Sequence, residues 1–321
     1  MWIPESSYYY FTYLFRPDSK ILIARLIVYC FFFLALITGC EKEKVYYLDD
    51  TKSIEITDSI HVDNGIRIRD PIFNIITYNN FLDYLTTSDR FKIVPQKDFE
   101  KTTSTDKVII SIRHDIDDNI NAAVKFAYLE HKYGIQSTYF ILHTAKYYGE
   151  TKWRSFVRNG NLIYYIKKIQ DSFCQEIGWH NDLVTLQIIY EIDPKAFLRN
   201  ELTWLRENGI VIKGEAPHGS NYCYIYHYVN SYFWIEVKGT DEGNFYNWES
   251  INTENGTIKI EKDSLSAYKF EYSTVFIKYD NFFSDSDWLG GKRWHMGMTD
   301  FDSFKPGQKV IVLIHPQHWD L

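Results

Sequence analysis

The hydrophobic period of this chain switches back and forth, and that alternation limits its possible folds more than any other feature. Val108-Ile109-Ile110-Ser111-Ile112 is a nearly continuous apolar run, the pattern of a strand buried on both faces. Beyond it, Ile120, Val124, Ala127, Tyr128 and His131 recur at helical spacing, and Gly134 stands where that helix would stop. Ser137–Leu142 reads as a strand, Leu162, Ile166, Ile169 and Phe173 as a helix, and Glu176–Trp179 as a strand again. Asp193-Pro194 supplies an N-cap with proline at the first helical position. Leu198, Leu202 and Leu205 line that helix, and Asn208-Gly209 closes it. Ile210–Ile212, Phe233–Val237, Ser273–Tyr279 and Lys309–Ile314 read as later strands, within a less regular stretch at 238–308. Strands roughly 30 residues apart with helices between them predict an α/β fold with a parallel sheet or barrel.

The residues before this pattern have a different character. Leu26–Thr38 carries no charge, follows Arg25 and is followed by Gly39-Cys40 and the polar Glu41-Lys42-Glu43-Lys44. A basic flank, a short apolar core and a small residue at the break are the parts of a secretory signal. The core is shorter than the ~20 residues that span a bilayer as a helix. Ile37-Thr38-Gly39-Cys40 also resembles a bacterial lipobox, which implies lipidation of Cys40; the other reading is an uncleaved signal anchor over Ile21–Gly39. Either places the rest of the chain outside the cytoplasm on a membrane tether, in the periplasm or at the cell surface. The expected division is a leader at 1–40, a tether and lead-in at 41–70, and one barrel domain at 71–321. Residues 1–40 hold Arg16, Lys20 and Arg25 against Glu5 and Asp18, so the chain's net charge of −7 comes from the residues after them. That acidic balance argues against a nucleic-acid partner.

Parallel barrels place their chemistry at the C-terminal ends of the strands. Four predicted strand ends carry ionisable residues: Arg113-His114-Asp115-Ile116-Asp117, His180-Asn181-Asp182, Glu215-Ala216-Pro217-His218-Gly219 and His315-Pro316-Gln317-His318. Asp115 and Asp117 share one face of an extended segment, and such a pair is stable only with a cation or proton between them. Aspartate with histidine suits Zn²⁺ or a similar divalent ion. The plainer reading of the two aspartates is an acidic N-terminus for the following helix. His143 reads as structural. Cys174 and Cys223 are either a disulfide in an oxidising compartment or two separate buried thiols. Tyr222, Tyr224, Tyr226 and Tyr228 alternate as on a strand face. Trp234, Trp248, Trp288, Trp294 and Trp319 suit core packing, with sugar stacking as the other use of such rings.

From residue 107 to the end these motifs resemble, in order, the polysaccharide deacetylase family (the NodB-homology group), in its Arg-His-Asp-x-Asp form. The resemblance implies a distorted (β/α) barrel of about seven parallel strands. It also implies a metal-dependent hydrolase that removes N-acetyl or O-acetyl groups from a cell-envelope or extracellular polysaccharide. Carried over residue by residue, it implies Asp115 as catalytic base, Asp117 and His180 as metal ligands, and His315, in Leu313-Ile314-His315, as catalytic acid. One position departs from the pattern: Val184 stands where most members have a second metal histidine. His218 is the first choice for the missing ligand, with His114 and Asp182 as lesser ones, and Zn²⁺ is the expected ion. Two other functions stay open: a glycan-binding lipoprotein that has lost the chemistry, and a hydrolase of other non-peptide C–N bonds.

Overall fold

The computed structural model describes residues 73–238, 249–286 and 299–320, all within one unit, Gly65–Leu321. The apolar run at Leu26–Thr38, Cys40, the tether at 41–70 and Trp248, Trp288 and Trp294 lie outside the described residues. Among the described residues no helix is long and apolar enough to cross a membrane.

The chain opens with α1 (Ile75–Thr87), β1 (Phe91–Ile93) and α2 (Gln96–Phe99), then enters β2 (Val108–Ile116). The apolar run predicted as a strand is therefore longer than expected and carries Arg113, His114 and Asp115 within it. Helix α3 (Ile120–Lys132) starts at Asn119, whose side chain accepts from the Ala122 N–H, and ends before Gly134 at φ +71°, the left-handed stop a glycine permits. Its buried face is Ile120, Ala123, Phe126, Ala127 and Glu130 rather than the predicted set, since Tyr128 and His131 are exposed. Glu130 turns inward because His114, Tyr78 and Tyr139 all bond its carboxylate, at 2.7, 2.5 and 2.6 Å. This is how a buried carboxylate is kept satisfied.

After β3 (Thr138–Leu142) comes a hairpin, β4 (Gly149–Lys152) and β5 (Ser155–Arg158), then α4 (Leu162–Lys167), which runs on in a wider turn to Ser172. Next are β6 (Glu176–Asn181), α5 (Leu183–Tyr190), α6 (Pro194–Glu207), β7 (Ile212–Pro217) and α7 (Asn221–Ile225). The cap predicted at Asp193 is present, its carboxylate accepting from the Lys195 and Ala196 N–H groups. The final third holds the hairpin β8 (Ser250–Thr253) and β9 (Gly256–Lys259), the edge strands β10 (Tyr272–Ser273) and β11 (Asn281–Ser284), α8 (Thr299–Asp302) and β12 (Lys309–Ile314).

The main sheet runs β10-β7-β6-β3-β2-β12-β11, with β1 beside the first part of β2, and every pair in it is parallel. It curls into a half-barrel with helices around it, as a distorted α/β barrel does. Three predicted elements in the irregular stretch differ. Phe233–Val237 is not a strand, because Asn230–Phe233 is a 3₁₀ turn. Ser273–Tyr279 is mostly not a strand either: only Tyr272–Ser273 pairs, and Thr274–Phe276 is a 3₁₀ turn. The alternating tyrosines fall partly in the short helix α7. All three were short apolar or aromatic runs, whose period does not separate strand from turn or helix. Trp234 and Trp319 are buried in the core. Cys223 is a free, buried thiol, so the Cys174–Cys223 disulfide does not form.

Candidate metal centre

Because the strands are parallel, their C-terminal ends share one edge. Asp117 follows β2, His180 lies near the end of β6, His218 follows β7 and His315 follows β12. Side chains alternate along β2: His114 and Ile116 face α3, while Arg113 and Asp115 face the interior, with Asp117 next on that side. Leu313 pairs with Arg113 and Ile314 with His114, which carries His315 up beside Asp115. Opposite, Phe140 is registered with both Asp115 and Gly178. A side chain at Gly178 would run into the Phe140 ring. That ring lies 5.1 Å beneath the Arg113 guanidinium and floors the site.

Asp117, His180 and His218 bring one ligand atom each to within 4.8 Å of the others, a group that can hold a metal ion. His180 Nε2 is 3.3 Å and His218 Nε2 3.7 Å from Asp117 Oδ1. A tetrahedral ion with bonds of about 2.0–2.2 Å separates its ligands by roughly 3.3–3.5 Å, so these spacings suit one. Two features of the donor atoms agree. His180 Nδ1 lies 2.9 Å from the Ala216 carbonyl. A carbonyl can only accept, so Nδ1 carries the proton and Nε2 presents a lone pair. Asp117 Oδ1 is buried with no hydrogen-bond partner, while Oδ2 accepts from Gln317 Nε2 at 3.0 Å. One carboxylate oxygen is thus secured and the other is left aimed at the two histidines.

The carboxylates around the group favour positive charge there. Burial alone would raise the Asp117 carboxyl, but the His180 contact and the charges of His218 and His315 hold it well below the usual range. Burial would push His218 down, yet Asp182 and Asp117 beside it hold it up at about 9. Asp182 Oδ2 lies 3.5 Å from His218 Nδ1 and accepts from Thr144 Oγ1 at 2.6 Å, while Asn230 donates to Oδ1 at 2.7 Å. A carboxylate behind a histidine orients it for metal binding. Asp182 is therefore a support for His218 rather than the ligand considered from sequence. His114 is not a ligand either, being occupied by Glu130 on the opposite face of β2. Val184 is fully buried in the core. His143 is buried and stacked on Trp179, accepts the Asp182 N–H at 3.0 Å, and is held down at about 3 by burial. It is a neutral structural residue.

Two further groups flank the centre. Asp115 takes both Arg113 Nε and Nη2, each at 2.7 Å, and its Oδ2 lies 3.4 Å from His180 Nε2. Burial raises its carboxyl, but Arg113 and then His180 outweigh that and keep it low. His315 Nε2 is 3.9 Å from Asp117 Oδ2, and its Nδ1 donates to Asp285 Oδ1 at 2.6 Å. Asp285 is itself fixed by the His315 N–H at 2.8 Å and the Trp319 indole N–H at 2.9 Å. Burial would lower His315, but Asp285, followed by Asp117, raises it to about 9.

Sequence reasoning missed Asp285 and Gln317 and gave Arg113 no role. Asp285 follows β11 directly, at the same sheet edge as the others. The signal was the apolar pair Phe282-Phe283 running into Ser-Asp, obscured by the strand expected at Ser273–Tyr279. Asp285, His315 and His318 form a second group able to hold a metal ion. Comparison of the chain with family models, characterised proteins and solved structures gives no match.

Proposed function

We propose that the protein is a metal-dependent deacetylase acting on an N-acetylated or O-acetylated polysaccharide, with Zn²⁺ held by Asp117, His180 and His218. The observation that carries this reading is a carboxylate and a histidine that both border one three-ligand group. Asp115 lies 3.4 Å from His180 and His315 3.9 Å from Asp117, each with its own charged partner. The ordered likeness of the strand-end motifs to polysaccharide deacetylases supports the choice of an acetylated glycan.

When bound, the ion supplies Lewis acidity, making a water more acidic and drawing charge from an acyl carbonyl. The chain's residues do the rest. Asp115, kept ionised by Arg113, takes the proton of the attacking water. Its two bonds from Arg113 hold the carboxylate in one orientation. His315 holds a proton at Nε2 and delivers it to the departing nitrogen or oxygen of the sugar, while Asp285 stabilises the imidazolium before transfer. Asp117 and His218 are only partly buried, which leaves the centre open to a bulky substrate. An exported, membrane-tethered location through the apolar run at Leu26–Thr38 and Cys40 suits an envelope or extracellular glycan.

The test is acetate release from N-acetylated and O-acetylated oligosaccharides by the full chain loaded with zinc, beside a set of small cyclic amides. Asp115→Asn and His315→Ala should each lower kcat by about 10²–10⁴-fold, the usual contribution of a positioned acid or base. Turnover of the cyclic amides alone would replace this reading with hydrolysis of other C–N bonds. Glycan binding without turnover would replace it with a binding role.

A further inference from the structure

The second histidine–aspartate group has a geometry of its own. Asp285 and His315 pair at 2.6 Å, and His318 Nδ1 lies 3.5 Å from Asp285 Oδ2. A tight turn, with the His318 N–H donating to the His315 carbonyl at 2.9 Å, brings both rings to one carboxylate, their centroids 5.0 Å apart. The two oxygens of Asp285 are not equivalent. Oδ2 is secured by the His315 backbone N–H and the Trp319 indole, whereas the bond described for Oδ1 is to His315 Nδ1. An ion entering there finds a carboxylate already oriented from behind, as outer partners orient metal ligands. His318, about a quarter exposed, gives it a way in from solvent.

We infer that Asp285, His315 and His318 form a second, weaker divalent-cation site, and that filling it switches off the proton donor. It is weaker than the Asp117 centre because the ion must break the direct bond between Asp285 Oδ1 and His315 Nδ1. It must also widen that 2.6 Å gap toward the roughly 3.3 Å edge of a tetrahedral site. At the Asp117 centre the ligand oxygen has no such bond to give up. The chemistry of the switch balances simply. The ion takes the Nδ1 lone pair, and the Nδ1 proton passes to solvent. His315 then keeps one N–H, at Nε2, whose release would leave an imidazolate, so it no longer delivers a proton to a leaving group. The inhibitory half of this inference rests on the deacetylase reading; the binding half does not.

The experiment counts zinc ions on the full chain by native mass spectrometry in micromolar and then millimolar zinc, with acetate release measured in parallel. The expected result is one ion rising to two, with activity falling as the second binds. His318→Ala, and His318→Gln as a replacement closer in size, should stay at one ion and lose the inhibition by millimolar zinc. Asp117→Ala should keep the second ion and lose the first. A wild-type chain that stays at one ion in millimolar zinc overturns the site, as does a His318 variant that still takes two. Inhibition that persists in both His318 variants overturns the switch. Absence of acetate release at one equivalent overturns the deacetylase reading, and the ion counts still decide the second site.

Discussion

Gln317 shows how much one hydrogen bond can decide at this site. By holding Asp117 Oδ2 it leaves Oδ1 facing His180 and His218. Gln317→Ala frees the carboxylate to rotate and should weaken zinc affinity by about 10–100-fold, as loss of an outer partner does; competition with a chelating dye measures it. His315 makes a pH prediction. Its folded pKa, about 9, lies above its ordinary 6.5. The proton is therefore in place at neutral pH, and kcat should fall as pH rises through about 9. Asp285→Asn removes the carboxylate that holds the proton there, so this alkaline limb should move down toward neutrality. A limb that stays at 9 in the Asn variant would assign it to another group. By the same linkage, the Asp285–His315 pairing stabilises the fold fully between the ordinary carboxyl value of 3.8 and the ordinary imidazole value of 6.5; it loses that contribution as pH rises through 9, and at the acid end as Asp285 takes up a proton.

At the scale of elements, the site exists because parallel strands end on one edge and alternate their side chains. The β3–β6 pair is the most sensitive part, since Gly178 lets β6 lie against the Phe140 ring. Gly178→Ala should cost about 1–3 kcal/mol, the usual range for overpacking. It should also weaken metal binding, because His180 lies two residues further along the same strand; denaturant unfolding and zinc titration test the two effects. The strands were legible where the apolar run was long or its neighbours changed period, as at Val108–Ile112, Glu176–Trp179 and Lys309–Ile314, although the first two run on to Ile116 and Asn181. They were not legible around β10 and β11, which are short, lie at sheet edges and carry few residues to set a period. That is why Asp285 escaped notice while Asp115, Asp117, His180, His218 and His315 could be named. The helix face of α3 was misjudged for a different reason: a glutamate belongs to its buried side, and hydrophobicity alone does not reveal one that three partners satisfy.

For the molecule as a whole, the half-barrel collects buried carboxyls at some cost in stability. Glu215 is at 0% exposure, and burial, outweighing Ser273, Trp234, Arg113 and Asn181 around it, pushes its carboxyl up to about 7 from an ordinary 4.5. A group raised in the folded state favours folding below its unfolded pKa and loses that benefit as pH rises through the folded value. Stability should therefore decline between pH 4.5 and 7, by about 3 kcal/mol from this group. Glu215→Gln should flatten that decline and raise the melting temperature at pH 8; an unchanged pH profile would show that Glu215 stays ionised. The central claim is that strand ends distant in sequence build one three-ligand metal centre, with His218 standing in for the histidine absent at Val184. Its most direct test is the zinc content of the full chain after dialysis against micromolar zinc, compared with Asp117→Ala and His218→Ala. The account predicts one ion per wild-type chain, and none or a small fraction in either variant with the fold intact by circular dichroism. A folded wild-type chain that retains no zinc, or a His218→Ala chain that retains it at full occupancy, would contradict it.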